Sequence, residues 1–119
     1  MSRKHPEMHI HKAIFDWLCL KLPRAVIHHS PNELGMSGPA IKRQVAKHKR
    51  MGMRVGFPDF LVLLRVGLKC RTVGLEVKAG KNRQSDAQKD VENDFKVNLA
   101  EYYVVRSIDD VARIFEGQI

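Results

Sequence analysis

Cysteine is scarce in this chain. Its two residues, Cys19 and Cys70, stand 51 positions apart with no CxxC, which excludes a zinc ribbon and a disulfide framework and fits a reducing, cytoplasmic home. Long apolar runs are missing as well. The longest convincing one, Phe60 to Leu64, falls far short of the ~18 residues of a membrane span. The opening Met1-Ser2-Arg3-Lys4-His5-Pro6 begins basic but leads into a mixed polar segment, not the apolar core of a signal peptide. No glycine-rich loop ends in Gly-Lys-Ser or Gly-Lys-Thr, so nucleotide binding has no support. There is no internal repeat and no linker that could separate domains. What is present is ordinary: 119 residues, 44% hydrophobic and 29% charged, the composition and length of a single domain over 1–119.

Acid is the rarer charge, and its shortage is local. The chain carries 21 Lys+Arg against 13 Asp+Glu, a formal charge of +8. Residues 1–54 hold eleven of the bases and only three acids (Glu7, Asp16, Glu33), whereas residues 55–119 hold ten of each. All six histidines also lie in the first half. This asymmetry predicts a polyanionic partner met by the N-terminal half. The densest stretch, Lys42-Arg43-Gln44-Val45-Ala46-Lys47-His48-Lys49-Arg50, spaces its apolar residues as a helix does. It lacks the aromatic or leucine face of a membrane-surface helix. Lys42, Arg43, Lys47, Lys49 and Arg50, with Arg54 beyond them, are therefore candidate contacts to nucleic-acid phosphates. The plainer alternative is a solvated face on a merely basic protein.

Periodicity orders the rest. His9 to Leu22 predicts an amphipathic helix stopped by Pro23, with Trp17 and Phe15 in or beside its core stripe. Arg24 to His29 predicts a short strand. Ser30 to Pro39 is turn-rich loop, and a basic insertion spans about 30–57. Phe60–Leu64 and Thr72–Ala79 predict a hairpin. Ser85 to Leu99 predicts a helix opened by a Ser85-x-x-Gln88 capping box, Tyr102 to Arg106 a strand, and Ser107 onward a closing helix. The order α-β-(α)-β-β-α-β-α predicts an α/β fold: a central mixed sheet flanked by helices.

The hairpin carries the chemistry. Pro58-Asp59 opens its first strand and Glu76-Val77-Lys78 lies near the end of its second, with Glu76 17 positions after Asp59. Residues two apart share a strand face, so Glu76 and Lys78 point one way and Val77 the other. Pairing of the strands can bring Asp59 beside Glu76. Two adjacent carboxylates repel unless a cation joins them, and oxygen ligands with room for water and phosphate suit Mg²⁺. A lysine two residues on would hold the attacking water and offset phosphate charge. These are the parts of metal-dependent phosphodiester hydrolysis. Taken alone, Glu-x-Lys is also what an ordinary half-exposed strand looks like, with Leu75 and Val77 inward and Glu76 and Lys78 outward.

With these motifs the chain resembles the virus-type replication-repair nuclease domain (VRR-NUC), a branch of the PD-(D/E)XK nuclease superfamily. Asn32-Glu33, the run from Met51 to Leu61, Leu75-Glu76-Val77-Lys78-Ala79, Ser85-x-x-Gln88 and Tyr103-Val104-Val105-Arg106-Ser107 occur in that family's order. The resemblance covers about residues 27–112, and its one departure is Leu99-Ala100-Glu101, where a glycine is common. It implies a restriction-endonuclease-like core, and Mg²⁺- or Mn²⁺-dependent cleavage of branched DNA in a bacterial or phage-infected cell. It also implies that Asp59, Glu76, the Val77 backbone carbonyl and Glu33 ligate metal while Lys78 orients the water. The small members of the family resemble junction resolvases, so a homodimer cutting four-way (Holliday) junctions is expected. A 5′-flap or fork nuclease and a non-catalytic DNA-binding protein are the alternatives.

Two further readings complete the expectation. For Gln88 the capping box is a sufficient role, and support of the site is an additional one. His5, His9 and His11, or His28 and His29, could be taken for a Zn²⁺ set. However, His9 and His11 face different sides of a helix, and no cysteine or carboxylate completes a recognisable site, so DNA contact or solvent exposure is expected of them.

Overall fold

The structure is a computed structural model that describes residues 6–30 and 38–119. Eight elements follow one another: α1 (Pro6–Lys21), β1 (Val26–His29), α2 (Gly38–Arg50), β2 (Phe60–Val66), β3 (Lys69–Val77), α3 (Asp86–Val97), β4 (Glu101–Val105) and α4 (Ile108–Ile114). The strands form one mixed sheet in the order β1-β2-β3-β4. β1/β2 and β2/β3 are antiparallel, and β3/β4 is parallel with α3 as the crossover. This is the expected α/β arrangement.

Boundaries moved where local chemistry is stronger than periodicity. α1 starts at Pro6 rather than His9, because proline at the first helical position has a preset φ and no missing partner. The hairpin is longer than its apolar runs. Val66 pairs with Lys69, leaving only Gly67-Leu68 as the connection, and Gly67 takes φ +63°, which a two-residue hairpin turn demands at its first position. The polar Lys69-Cys70-Arg71 is therefore strand.

Two layers cover the sheet. On one face Ile14 and Leu18 of α1, Val111 of α4 and Phe115 at its C-cap pack with Phe60, Val62, Val73, Leu75, Val77 and Val105, all fully or almost fully buried. On the other, α3 lies close against β3. A Cβ on Gly74 would come within 2.7 Å of the Phe95 ring and 2.9 Å of Pro58. The absent side chain lets α3 and the segment before Asp59 approach the strand that carries Glu76.

Candidate active site

The β2/β3 register pairs Phe60 with Leu75, so Asp59, one step before β2, stands opposite Glu76. Two backbone bonds fix Asp59. Its carbonyl accepts from Ser30 N (2.8 Å) at the end of β1, and its Oδ2 accepts from Val77 N (2.7 Å). Leu75 and Val77 are buried on the core face. Glu76 points to the α3 side and yet is only 3% exposed. An ordinary half-exposed strand would leave this glutamate in water. Here burial, then the neighbouring Asp59 carboxylate, push its carboxyl up to about 8, since both effects disfavour a second negative charge.

The partners of Glu76 are uneven. Oε2 lies 3.7 Å from Lys78 Nζ and accepts from Gln88 Nε2 at 3.0 Å. Oε1 is buried with no hydrogen-bond partner. Such an atom carries a desolvation cost that a cation would remove. The Lys78 side chain is mostly enclosed, 14% exposed, and its backbone N is bonded to Val105 O (3.0 Å). Glu76 is thus held on well-packed strand, and Lys78 is fastened one residue beyond the end of β3.

Gln88 serves two purposes at once. Its backbone N donates to Ser85 Oγ (3.1 Å), and its Oε1 accepts from Ser85 N (2.8 Å), which completes the expected capping box. With Oε1 engaged by the cap, the amide NH₂ is forced to face Glu76. Gly56 sets how close this turn sits. It has φ +89°, and a Cβ there would fall 2.5 Å from Ala87 C and 2.8 Å from Gln88 N. The loop leading to Asp59 therefore rests directly on the first turn of α3.

Two residues lie near the site that the sequence does not assign to it: Glu7 counts there only among the few acids of the first half, and His11 is expected at DNA or in solvent. Glu7, in the first turn of α1, accepts from Ala79 N and Asn82 Nδ2, each at 3.4 Å, and its charge adds to the upward push on Glu76. His11, one turn further, is half-buried. Burial lowers its basicity, which Asp59 opposes and His29 reinforces. The signal was the i, i+4 spacing of Glu7 and His11, which puts both on one helix face. Glu33 lies outside the described residues.

On α2, Arg43, Lys47 and Arg50 recur at helical spacing on one exposed face, with Lys42 and Lys49 flanking it, opposite the half-buried Ile41, Val45 and His48. Arg54 has a different role within the protein: it pairs with Asp94 of α3 at 2.7 Å, fastening the loop that carries Gly56.

Among the described residues, no three His, Cys, Asp or Glu side chains converge as a closed metal cage. The arrangement is a carboxylate pair with backbone and a lysine beside it. That donor set fits Mg²⁺ or Mn²⁺, which keep several waters and take one or two carboxylates plus substrate oxygens. The unpartnered Glu76 Oε1 and the mutual repulsion of Asp59 and Glu76 fit a cation between them. No helix of the described residues is long and apolar enough to cross a membrane.

Comparison with known proteins gives one clear result. No family model and no curated protein matches the sequence. Among solved structures, the chain is similar to a VRR_NUC domain protein with a TM-score of 0.67 at 22% identity, over 95% of this chain and 87% of the other. The chain shares that protein's fold.

Proposed function

We propose, on the premise of this VRR_NUC-like fold, that the protein is a metal-dependent, structure-selective endodeoxyribonuclease that hydrolyses phosphodiesters in branched DNA. One observation carries the reading: a buried glutamate with an unpartnered oxygen lies directly across the hairpin from a second, backbone-anchored carboxylate, with a lysine two residues on. A structural role alone gives no reason to bury one acid against a second carboxylate, because each raises the cost of ionising the other.

Asp59, Glu76 and the Val77 carbonyl would hold Mg²⁺ or Mn²⁺, with Glu33 and Glu7 as further carboxylates. The ion would supply positive charge to the phosphate and to the developing negative charge on its oxygens. Lys78 would orient the attacking water, and Gln88 would keep Glu76 in place as an acceptor. Water attacks phosphorus, the bond to the leaving oxygen breaks, and no covalent enzyme intermediate forms. The basic face of α2 (Lys42, Arg43, Lys47, Lys49, Arg50) would hold the phosphate backbone, so branch shape rather than base identity directs the cut.

The substrate we assign is the four-way junction, resolved by a homodimer whose two-fold axis relates two sites acting on two strands. The test uses labelled four-way junction, 5′-flap, fork and linear duplex, each with Mg²⁺, Mn²⁺ or EDTA, and with Asp59→Asn and Lys78→Met beside the wild type. Paired nicks in the junction, lost in EDTA and in both variants, are expected. Cleavage that persists in EDTA or in Asp59→Asn overturns the mechanism. Preference for the flap or fork moves the substrate to that class, and tight salt-dependent binding with no cleavage leaves a DNA-binding module. Light scattering of the DNA-bound protein checks the dimer, and a monomer refutes it.

A further inference from the structure

Beside the carboxylate pair lies a group of rings that the proposed hydrolysis does not use. His11 of α1 and His29 at the end of β1 meet edge-on, centroids 4.6 Å apart with an interplanar angle of 90°. His11 rests tilted on Phe60, 4.3 Å between centroids, and His29 lies 6.0 Å from the same ring. Phe60 is fully buried, so it is a fixed backing, and it directly follows Asp59 in the chain. The next residue after His29 donates its backbone N to the Asp59 carbonyl at 2.8 Å. His29 thus sits one residue from the backbone anchor of Asp59, paired across the sheet with Phe60, and remains open to solvent.

The packing of α1 does not need these two histidines, since Ile14, Leu18 and Leu22 supply its buried contacts. Among the described residues no third ligand converges with them. Their environment points to another occupant. They lie in the half of the chain that holds the whole charge excess, where a polyanion is concentrated, and a flat exposed ring on a rigid aromatic support suits the face of a nucleobase. A base within a duplex has no free face, so the ligand is an unpaired one.

We propose that His29, backed by His11 and Phe60, stacks an unpaired nucleobase freed at the branch point, next to the phosphate held at Asp59 and Glu76. The inference rests on the nuclease reading of the site and deepens it, giving branch selectivity a chemical basis: only DNA that can release a base fills both positions.

The test is equilibrium binding in EDTA, where no cleavage is expected, using a fluorescent branched substrate in which an abasic residue is moved one nucleotide at a time through the branch point. Wild type should lose on the order of tenfold in affinity at one abasic position and little at the others. His29→Ala should bind the intact substrate as weakly as wild type binds that abasic one, with no further loss when both changes are combined. His29→Phe should restore the discrimination. His29 is exposed, so the substitution leaves the core intact, and a melting curve verifies this. Uniform wild-type affinity across all abasic positions overturns the proposal, as does an additive loss in His29→Ala. Because the readout is binding, it can fail while metal-dependent cleavage stands, or hold while cleavage fails.

Discussion

The two roles of Gln88 can be separated experimentally. Its side chain accepts from Ser85 N through Oε1 and donates to Glu76 Oε2 through Nε2. Gln88→Glu keeps an acceptor for the cap, since glutamate serves at the third position of a capping box as well as glutamine. The donor to Glu76, however, is replaced by an oxygen. A hydrogen bond to a charged group contributes about 1.5–3 kcal/mol. If Glu76 must stand as a fixed carboxylate, its loss should reduce single-turnover cleavage on the order of ten- to a hundredfold. The new acid 3.0 Å from Glu76 should also push the Glu76 carboxyl further up, so more divalent cation will be needed for half-maximal rate.

Ser85→Ala is the complementary change. It removes the hydroxyl that accepts from Gln88 N and should cost about 0.5–2 kcal/mol of stability, with the cleavage rate unaltered at temperatures where the protein is folded. Urea unfolding and single-turnover kinetics on both variants give a two-by-two result. Wild-type rate and metal dependence in Gln88→Glu would refute the argument. Equal rate losses in the two variants would also do so, because they would make Gln88 a cap and nothing more.

Three other outcomes are expected. Gly56→Ala forces a methyl against the backbone of Ala87 and Gln88 in a left-handed conformation; about 1–3 kcal/mol of stability should be lost, with a fall in cleavage, and an unchanged melting temperature would show that the contact yields freely. Leu99 has φ +63° and is 94% exposed, so Leu99→Gly should stabilise by about 0.5–1 kcal/mol in urea titration, and a loss would contradict the strain argument. The raised Glu76 carboxyl gives the metal-free protein a pH signature. Between about 4.5 and about 8 the unfolded state releases this proton while the folded state retains it, so stability should fall as pH rises through that window and level off above it; added Mg²⁺ or Mn²⁺ should flatten the slope, whereas Glu76→Gln should remove it in the absence of metal.

Much of this was legible in the residues, and the limits have physical causes. Asp59, Glu76 and Lys78 could be found because strand alternation has a period of two, so a hairpin converts sequence spacing into a shared face. The capping box at Ser85 and Gln88 is likewise a local, short-range device. The burial of Glu76 was not legible: it depends on α3 closing over Gly74 and on Gly56 allowing that approach, and both are contacts between segments distant in sequence. That Glu7 and His11 lie near the site was not legible for the same reason, since both belong to a helix that meets the end of the hairpin only in the fold. Leu99 marks the opposite case. At Leu99 the chain turns with positive φ, and the turn is made at a cost by a β-unbranched side chain that extends into water.

The division of charge along the chain and the burial of Glu76 bear on one another. A buried glutamate facing an aspartate is unfavourable in the free protein, and the folded state tolerates it by holding the proton on Glu76. On the proposed reading the same pair would become favourable with a cation between the carboxylates, and the strain would be relieved in that loaded site. DNA adds charge of the opposite sign, which would repel an ionised acid pair. The basic first half, with its face on α2, would supply the compensating field, and because that field acts through exposed side chains it would weaken with salt. Binding of DNA should therefore be salt-sensitive while occupancy of the enclosed site by metal is much less so. On this argument, raising ionic strength increases the DNA concentration needed for half-maximal cleavage and leaves the metal requirement at saturating DNA nearly constant. A metal requirement that rises in step with salt would mean that Glu76 feels the solvent, contrary to the burial on which the proposed site is built.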